Sequence, residues 1–258
     1  MLLSEFDFDR DAVIDPGFIH KPVENFPETV ISIFSHRLFE RVVEALDGRI
    51  IAETKDVDGI WPVYEVDYGG HKFAMYKARL GAPACVGCFE DIIPMGAKRI
   101  ILLGNCGVLD RSIDDCGIII PTRAIRDEGT SYHYAPESDY IDVNKQYVDL
   151  FKAVLESHGY PYTIGTTWTT DAFYRETRGK IACRKEMGAI CVEMECAAVQ
   201  AMCDFRGVEF FQFLYAGDNL DHSQWDPRSL SGMARLDDKE KIALLAFELA
   251  QKIEEGKK

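Results

Sequence analysis

The chain has 258 residues, 28% charged and 47% hydrophobic, which suits a soluble globular enzyme with a full core. Its formal net charge of −14 argues against a nucleic-acid groove or an anionic membrane surface as partner. No apolar run reaches bilayer-spanning length. The acidic start, with Glu5, Asp7, Asp9 and Asp11, is unlike a signal peptide, so a cytoplasmic chain with reduced thiols is expected.

The N-terminal segment carries Asp15-Pro16-Gly17 after a short apolar run, with Lys21 four residues on. A strand is predicted at 30–34 and a helix at 37–46. Strands follow at 50–53, 63–68 and 72–78, and Tyr68-Gly69-Gly70-His71 between the last two reads as a hairpin turn. A helix at 84–95 contains Cys85 and Cys88. Without a second pair or a His cluster this C-x-x-C is read as buried packing, and no metal or organic cofactor is expected. The run Ile100-Ile101-Leu102-Leu103 marks a strand at 99–103 buried on both faces. Gly104-Asn105-Cys106-Gly107 is then expected as a loop whose small residues let backbone N–H groups approach a ligand.

Further strands are predicted at 117–120, 163–167 and 209–214, and helices at 145–157, 178–187, 195–205 and 238–253. In the last helix Ile242, Leu245, Leu249 and Ile253 form one stripe. The alternation of elements predicts one α/β domain over 1–258, with a central mixed β-sheet flanked by helices and antiparallel content before residue 80.

Three places carry chemistry. Cys191-Val192-Glu193-Met194-Glu195-Cys196 puts two carboxylates at a strand-to-helix junction. They can accept from a sugar diol, with Met194 as soft apolar surface, or simply start a helix. Asp218, after the 209–214 strand, sits where open α/β sheets place ligands; it reads as a general acid or as a turn aspartate. Thr166 to Tyr174 combines hydroxyls and aromatics, so that Phe173 stacks on a heterocycle or belongs to an aromatic core. Asp221, His222 and Asp226 suit a solvated loop or lid.

Ala12 to Gly17, Gly81 to Gly107, Ile118 to Tyr134, Gly165 to Tyr174 and Val192 to Asp218 together resemble the nucleoside phosphorylase family, in the branch of hexameric purine and uridine phosphorylases. Gly81-Ala82-Pro83-Ala84 looks like a Gly-Gly-Pro-Ser turn, Arg126 to Tyr134 like a loop of that family, and Val192-Glu193-Met194-Glu195 like its ribose-binding signature. The resemblance implies phosphorolysis of a nucleoside, with inorganic phosphate as co-substrate and no cofactor. By the same resemblance Glu195 holds the ribose diol, Met194 packs beside the sugar, and Glu193 supports both. Phe173, Thr170, Cys106 and Gly107 surround the base, and Asp218 protonates or hydrogen-bonds it. Phosphate falls to Gly17, Lys21, Asn105 and Arg37, the last supplied by a neighbouring subunit of a dimer or hexamer, with His36 beside Arg37 as an alternative.

This chain departs from the family pattern at Lys21, which stands for an Arg, at Asn105, which stands for a Ser or Thr, and at Leu102, where an Arg is usual. Thr177 and Gly179 stand where uridine phosphorylases carry Gln and Arg, which favours a purine, although Arg175 and Arg178 are available for another base. The leading expectation is a purine nucleoside phosphorylase. Uridine phosphorylase, a phosphate-independent nucleosidase and a non-catalytic nucleoside-binding protein are the alternatives.

Overall fold

A computed structural model describes residues 3, 5–230 and 233–257. The longest apolar runs of the sequence form the centre of a ten-stranded sheet. β1 (Thr29–Ile33), buried along its whole length, runs parallel to β5 (Arg99–Val108) on one side and to β4 (His71–Lys77) on the other. β2 (Arg49–Asp56) and β3 (Gly59–Tyr68) continue from β4 as an antiparallel meander. The β3–β4 turn pairs Tyr68 with His71, and Gly69 (φ 59°) and Gly70 (φ 78°) take the left-handed backbone that a two-residue hairpin of this hand requires.

On the other side, β10 (Glu209–Asn219) lies parallel to β5 and pairs antiparallel with β6 (Ile118–Asp127). β8 (Tyr162–Thr170) runs parallel to β6, and β9 (Ala189–Glu193) parallel to β8. β9 also pairs antiparallel with β5, so β10, β6, β8, β9 and β5 close into a ring from which β1, β4, β3 and β2 extend. β7 (Tyr140–Asp142) flanks β6.

Side-chain alternation divides the core. Ile31, Ile101 and Leu103 pack with Phe211, Phe213 and the stripe Ile242, Leu245, Leu249 and Ile253 of α7 (Leu236–Glu255). α2 (His36–Ala45) and α4 (Val148–Ser157) cover the same face. Val30, Ile100 and Leu102 pack on the other face against α3 (Ala82–Ile92) and α6 (Cys196–Arg206). Cys85, Cys88 and Cys203 are buried there, as expected of packing thiols. Arg99 fastens the sheet to the C-terminal helix: its guanidinium meets Thr29, Glu209 and Glu254 at 2.5–2.9 Å. No helix among the described residues is long and apolar enough to cross a membrane.

The mixed sheet and its flanking helices agree with the sequence. The strand ends do not. Residues 104–107, 168–170 and 217–218 are expected in loops, but they extend β5, β8 and β10. The ladder pairs backbone groups whatever the side chains, so Gly, Asn and Thr continue strands whose apolar signal has ended. β7 and β9 are absent from the predicted strands because they are three and five residues long.

Candidate active site

A cavity of about 730 Å³ opens where β5, β9 and β10 end. Asn105, Cys106 and Gly107 of β5 line it, with Glu193 at the end of β9, Met194 and Glu195 before α6, and Asp218 of β10. The remaining wall includes Phe34, Leu80, Leu220 and Trp225, with Phe173, Tyr174, Glu176 and Thr177 before α5 (Arg178–Glu186). The structure thus brings together Glu193, Met194, Glu195, Asn105, Cys106, Gly107, Phe173 and Asp218 from the expected set.

The two glutamates differ. Glu193 is fully engaged by the protein. Its Oε1 accepts from Thr169 Oγ1 (2.6 Å) and Thr167 Oγ1 (3.3 Å), and its Oε2 from the N–H groups of Glu195 (2.7 Å) and Cys196 (2.6 Å). It therefore caps the first turn of α6. Burial raises its pKa, opposed by those four donors. Glu195 accepts from the Gly81 N–H at 2.6 Å while lining the cavity. Burial, and then the adjacent Glu193 charge, push its carboxyl up to about 8. Gly81 has φ 89°, a backbone that presents this N–H and favours glycine.

Asp218 faces this pair from β10. Its Oδ2 accepts from Trp225 Nε1 at 2.7 Å, and burial raises its pKa. The register of β10 against β5 slips between Ala216 and Asp218, leaving Gly217 as an extra residue that re-aims the strand end. Gly107 makes room beside it. A Cβ there would lie 2.3 Å from Leu220 Cδ1 and 3.1 Å from Asp218 Oδ1. Gly107→Ala is therefore expected to displace the acid and cut turnover by about 10²-fold, with the far-ultraviolet spectrum unchanged. Wild-type kinetics in that variant would show that the position of Asp218 does not matter.

Phe173 is 44% exposed and stacks on Tyr174, with ring centroids 4.1 Å apart. It lies in the cavity wall and not in an aromatic core. Arg178 spends its guanidinium on the carbonyl oxygens of Leu220 (3.1 Å) and Ser223 (2.8 Å). The Thr177 hydroxyl caps α5 by accepting from the Lys180 N–H at 3.3 Å.

Four expected residues are not brought to this wall. Gly17 lies in the short helix α1 (Pro16–Ile19), where its N–H is taken by Asp15 Oδ1 at 2.8 Å. Lys21 Nζ folds back onto the Gly17 carbonyl oxygen at 2.7 Å. The stretch is held at the C-terminal end of α3, where His20 Nε2 meets Asp91 at 3.1 Å. Arg37 is exposed on α2, 3.9 Å from Glu40. Thr170 is buried, and its hydroxyl accepts from the Ala172 N–H at 3.3 Å. Leu102, where an Arg was the family expectation, is wholly buried in the α3–α6 core.

The cavity also holds residues that sequence reasoning passed over. Glu176 follows the 3-10 turn Phe173–Arg175, and its carboxyl is pushed up to about 7 by burial and then by Asp218. An acid between Arg175 and Arg178 gave no signal other than surface. Trp225 comes from the segment read as a solvated loop or lid; an aromatic there was the available hint. Of that segment Asp226 bridges to Asn219, while Asp221 meets Lys185 at 2.5 Å and Arg111 at 3.3 Å. Among the described residues no group of three or more His, Cys, Asp or Glu side chains is placed to hold a metal.

Acids and aromatics thus gather at the strand ends of a ring-closed α/β sheet. Residues 34–252 match the family model described as the phosphorylase superfamily, and the chain belongs to that superfamily. It is 23% identical over 164 residues to a guanosine phosphorylase of Halorubrum lacusprofundi, covering 63% of this chain and 66% of that one, just under two thirds of the relative's length. The uridine phosphorylase of Vibrio fischeri ES114 superposes with a TM-score of 0.76 at 20% identity, covering 94% of this chain and 99% of that one. An AMP nucleosidase of Bacteroides thetaiotaomicron VPI-5482 shares the fold with a TM-score of 0.71 at 16% identity, covering 90% and 92%.

Proposed function

We propose that the chain is a pentosyltransferase that cleaves the N-glycosidic bond of a purine nucleoside and passes the pentosyl group to inorganic phosphate. The products are the free base and (deoxy)ribose 1-phosphate, and no cofactor takes part. The observation that carries this reading is the placement of Asp218 and Glu195 on opposing elements of one cavity. A nucleoside has a basic end and a diol end, and each acid suits one of them. As C1′–N9 breaks, its electron pair passes to the base. The protonated Asp218 donates to the base nitrogen that becomes more basic, and a phosphate oxygen forms the new bond to C1′. Glu195 accepts from the ribose hydroxyls, and Glu193 acts through the α6 N-terminus that positions Glu195. Phe173 packs on the ring. The relatives named guanosine and uridine phosphorylase support the reaction class.

Purine is favoured because the Arg178 guanidinium, which could donate to a diketo pyrimidine, is engaged by two carbonyl oxygens. Asn105 supplies an amide donor for phosphate within the cavity. In the same proposal the chain works in cytoplasmic nucleoside salvage as a homo-oligomer, with the exposed Arg37 of one copy completing its neighbour's site. Water as acceptor is the second reading. It is favoured by the burial of Leu102 and by the placement of Gly17 and Lys21 away from the cavity.

The test is base release from inosine, guanosine, adenosine and uridine, with and without phosphate. Purine base released with phosphate alone, accompanied by ribose 1-phosphate, supports phosphorolysis. Free ribose at equal rates in both conditions establishes the hydrolytic reading. Binding without product leaves a nucleoside-binding protein.

A further inference from the structure

Glu176 is the acid that the proposed reaction does not use. It stands in the cavity wall half-buried, between Phe173 and the start of α5, on the side of Asp218. Its carboxyl makes no hydrogen bond or ion pair among the described residues. Two cations of α5 are committed elsewhere. Lys180 Nζ bonds Asp127 Oδ2 at 3.1 Å, and the Arg178 guanidinium bonds the Leu220 and Ser223 carbonyl oxygens. The base end of the cavity thus offers a carboxyl with open acceptor sites beside the acid that meets the leaving base.

A carboxylate can accept two parallel N–H groups at once. Among the common bases, guanine presents two donors side by side, N1–H and the 2-amino group. Hypoxanthine presents N1–H alone. Adenine presents an amine beside the N1 lone pair, which a carboxylate repels. Uracil presents one N–H between two carbonyl oxygens. With Asp218 on the imidazole side of a purine, a neighbouring acid lies toward the edge that carries these donors.

We propose that Glu176 reads the base, its carboxylate taking the paired N–H donors of a 2-amino-6-oxopurine and so setting a preference for guanine-type nucleosides. This rests on the nucleoside reading of the cavity given above. The groups facing Glu176 are Asp218 from β10 and Lys180 from α5; burial and the Asp218 charge push its carboxyl up to about 7, and Lys180 opposes them. A donor-rich base binds the ionised form, so the KM for guanosine should rise as pH falls below about 7 while the KM for adenosine does not.

The experiment compares wild type, Glu176→Gln and Glu176→Ala on guanosine, inosine and adenosine, in phosphate and in its absence. Expected is a rise of about 10- to 100-fold in KM for guanosine in both variants, a smaller rise for inosine, and no loss for adenosine. The guanosine-specific pH dependence should vanish with the carboxyl. Equal losses on all three nucleosides, or none, would overturn the proposal. If wild type releases no base at all, the reaction fails but Glu176 does not escape the test. Calorimetric binding of guanosine and adenosine then decides: a guanosine preference abolished by Glu176→Gln sustains the base-reading role, and an unchanged or absent preference overturns it.

Discussion

Asp218→Asn is expected to lower kcat for purine nucleosides by about 10²–10⁴-fold with little change in KM. The amide keeps the volume, and its oxygen can still accept from Trp225 Nε1, which bonds Asp218 Oδ2 at 2.7 Å. What it loses is the transferable proton. Burial raises the pKa of Asp218, which favours the form that carries the proton. The requirement falls only on nucleosides whose base must be protonated to leave. A riboside with an activated leaving group, such as p-nitrophenolate, should therefore turn over at nearly wild-type rate in the variant. Equal losses on the natural and the activated substrate would mean that Asp218 positions the ligand and donates nothing.

Glu195→Ala should cost about 10²–10³-fold in kcat/KM on ribonucleosides, because hydrogen bonds to two hydroxyls disappear together. The loss should be smaller on 2′-deoxyribonucleosides, which offer one hydroxyl fewer. An equal loss on both sugars would remove the diol assignment. Stability gives an independent check through Glu195→Gln, whose amide oxygen can still meet the Gly81 N–H. The folded pKa of Glu195, about 8, lies above its ordinary 4.5. The folded chain therefore holds a proton that the unfolded chain releases, and stability from this group is complete below about pH 4.5 and lost as pH rises through 8. The Tm of the Gln variant relative to wild type should climb between pH 5 and pH 9. A gap independent of pH would show that Glu195 is ionised throughout.

The central strands were legible because burial on both faces leaves an unbroken apolar run: Ile100 to Leu103 needs no context to be read as β5. The limits of those strands were not, because Gly104, Asn105 and Thr169 carry no strand signal, and their pairing is decided by neighbours distant in sequence, Leu214, Tyr215 and Glu193 among them. In the site, Glu193, Glu195 and Asp218 could be found because acids at strand ends are unusual enough to be noticed. The division of labour between Glu193 and Glu195 could not, since it depends on which of them Thr167 and Thr169 of β8 reach. Family resemblance aligned Gly17 and Lys21 with an anion site, yet the folded chain turns the ammonium onto a carbonyl oxygen and gives the N–H to Asp15. Position in a motif does not determine where four flexible methylenes carry a charge.

The acidity of the chain as a whole has a kinetic consequence. At a net charge of −14, a dianion entering from bulk water climbs a repulsive field while a neutral nucleoside does not. Mobile ions shorten the reach of that field, from about 30 Å at 0.01 M ionic strength to about 8 Å at 0.15 M. Neutral salt should then speed phosphate capture and lower its KM, leaving nucleoside capture unaffected. Such an enzyme would be slowest to load its anionic partner in dilute buffer and quickest in the salt of a cell.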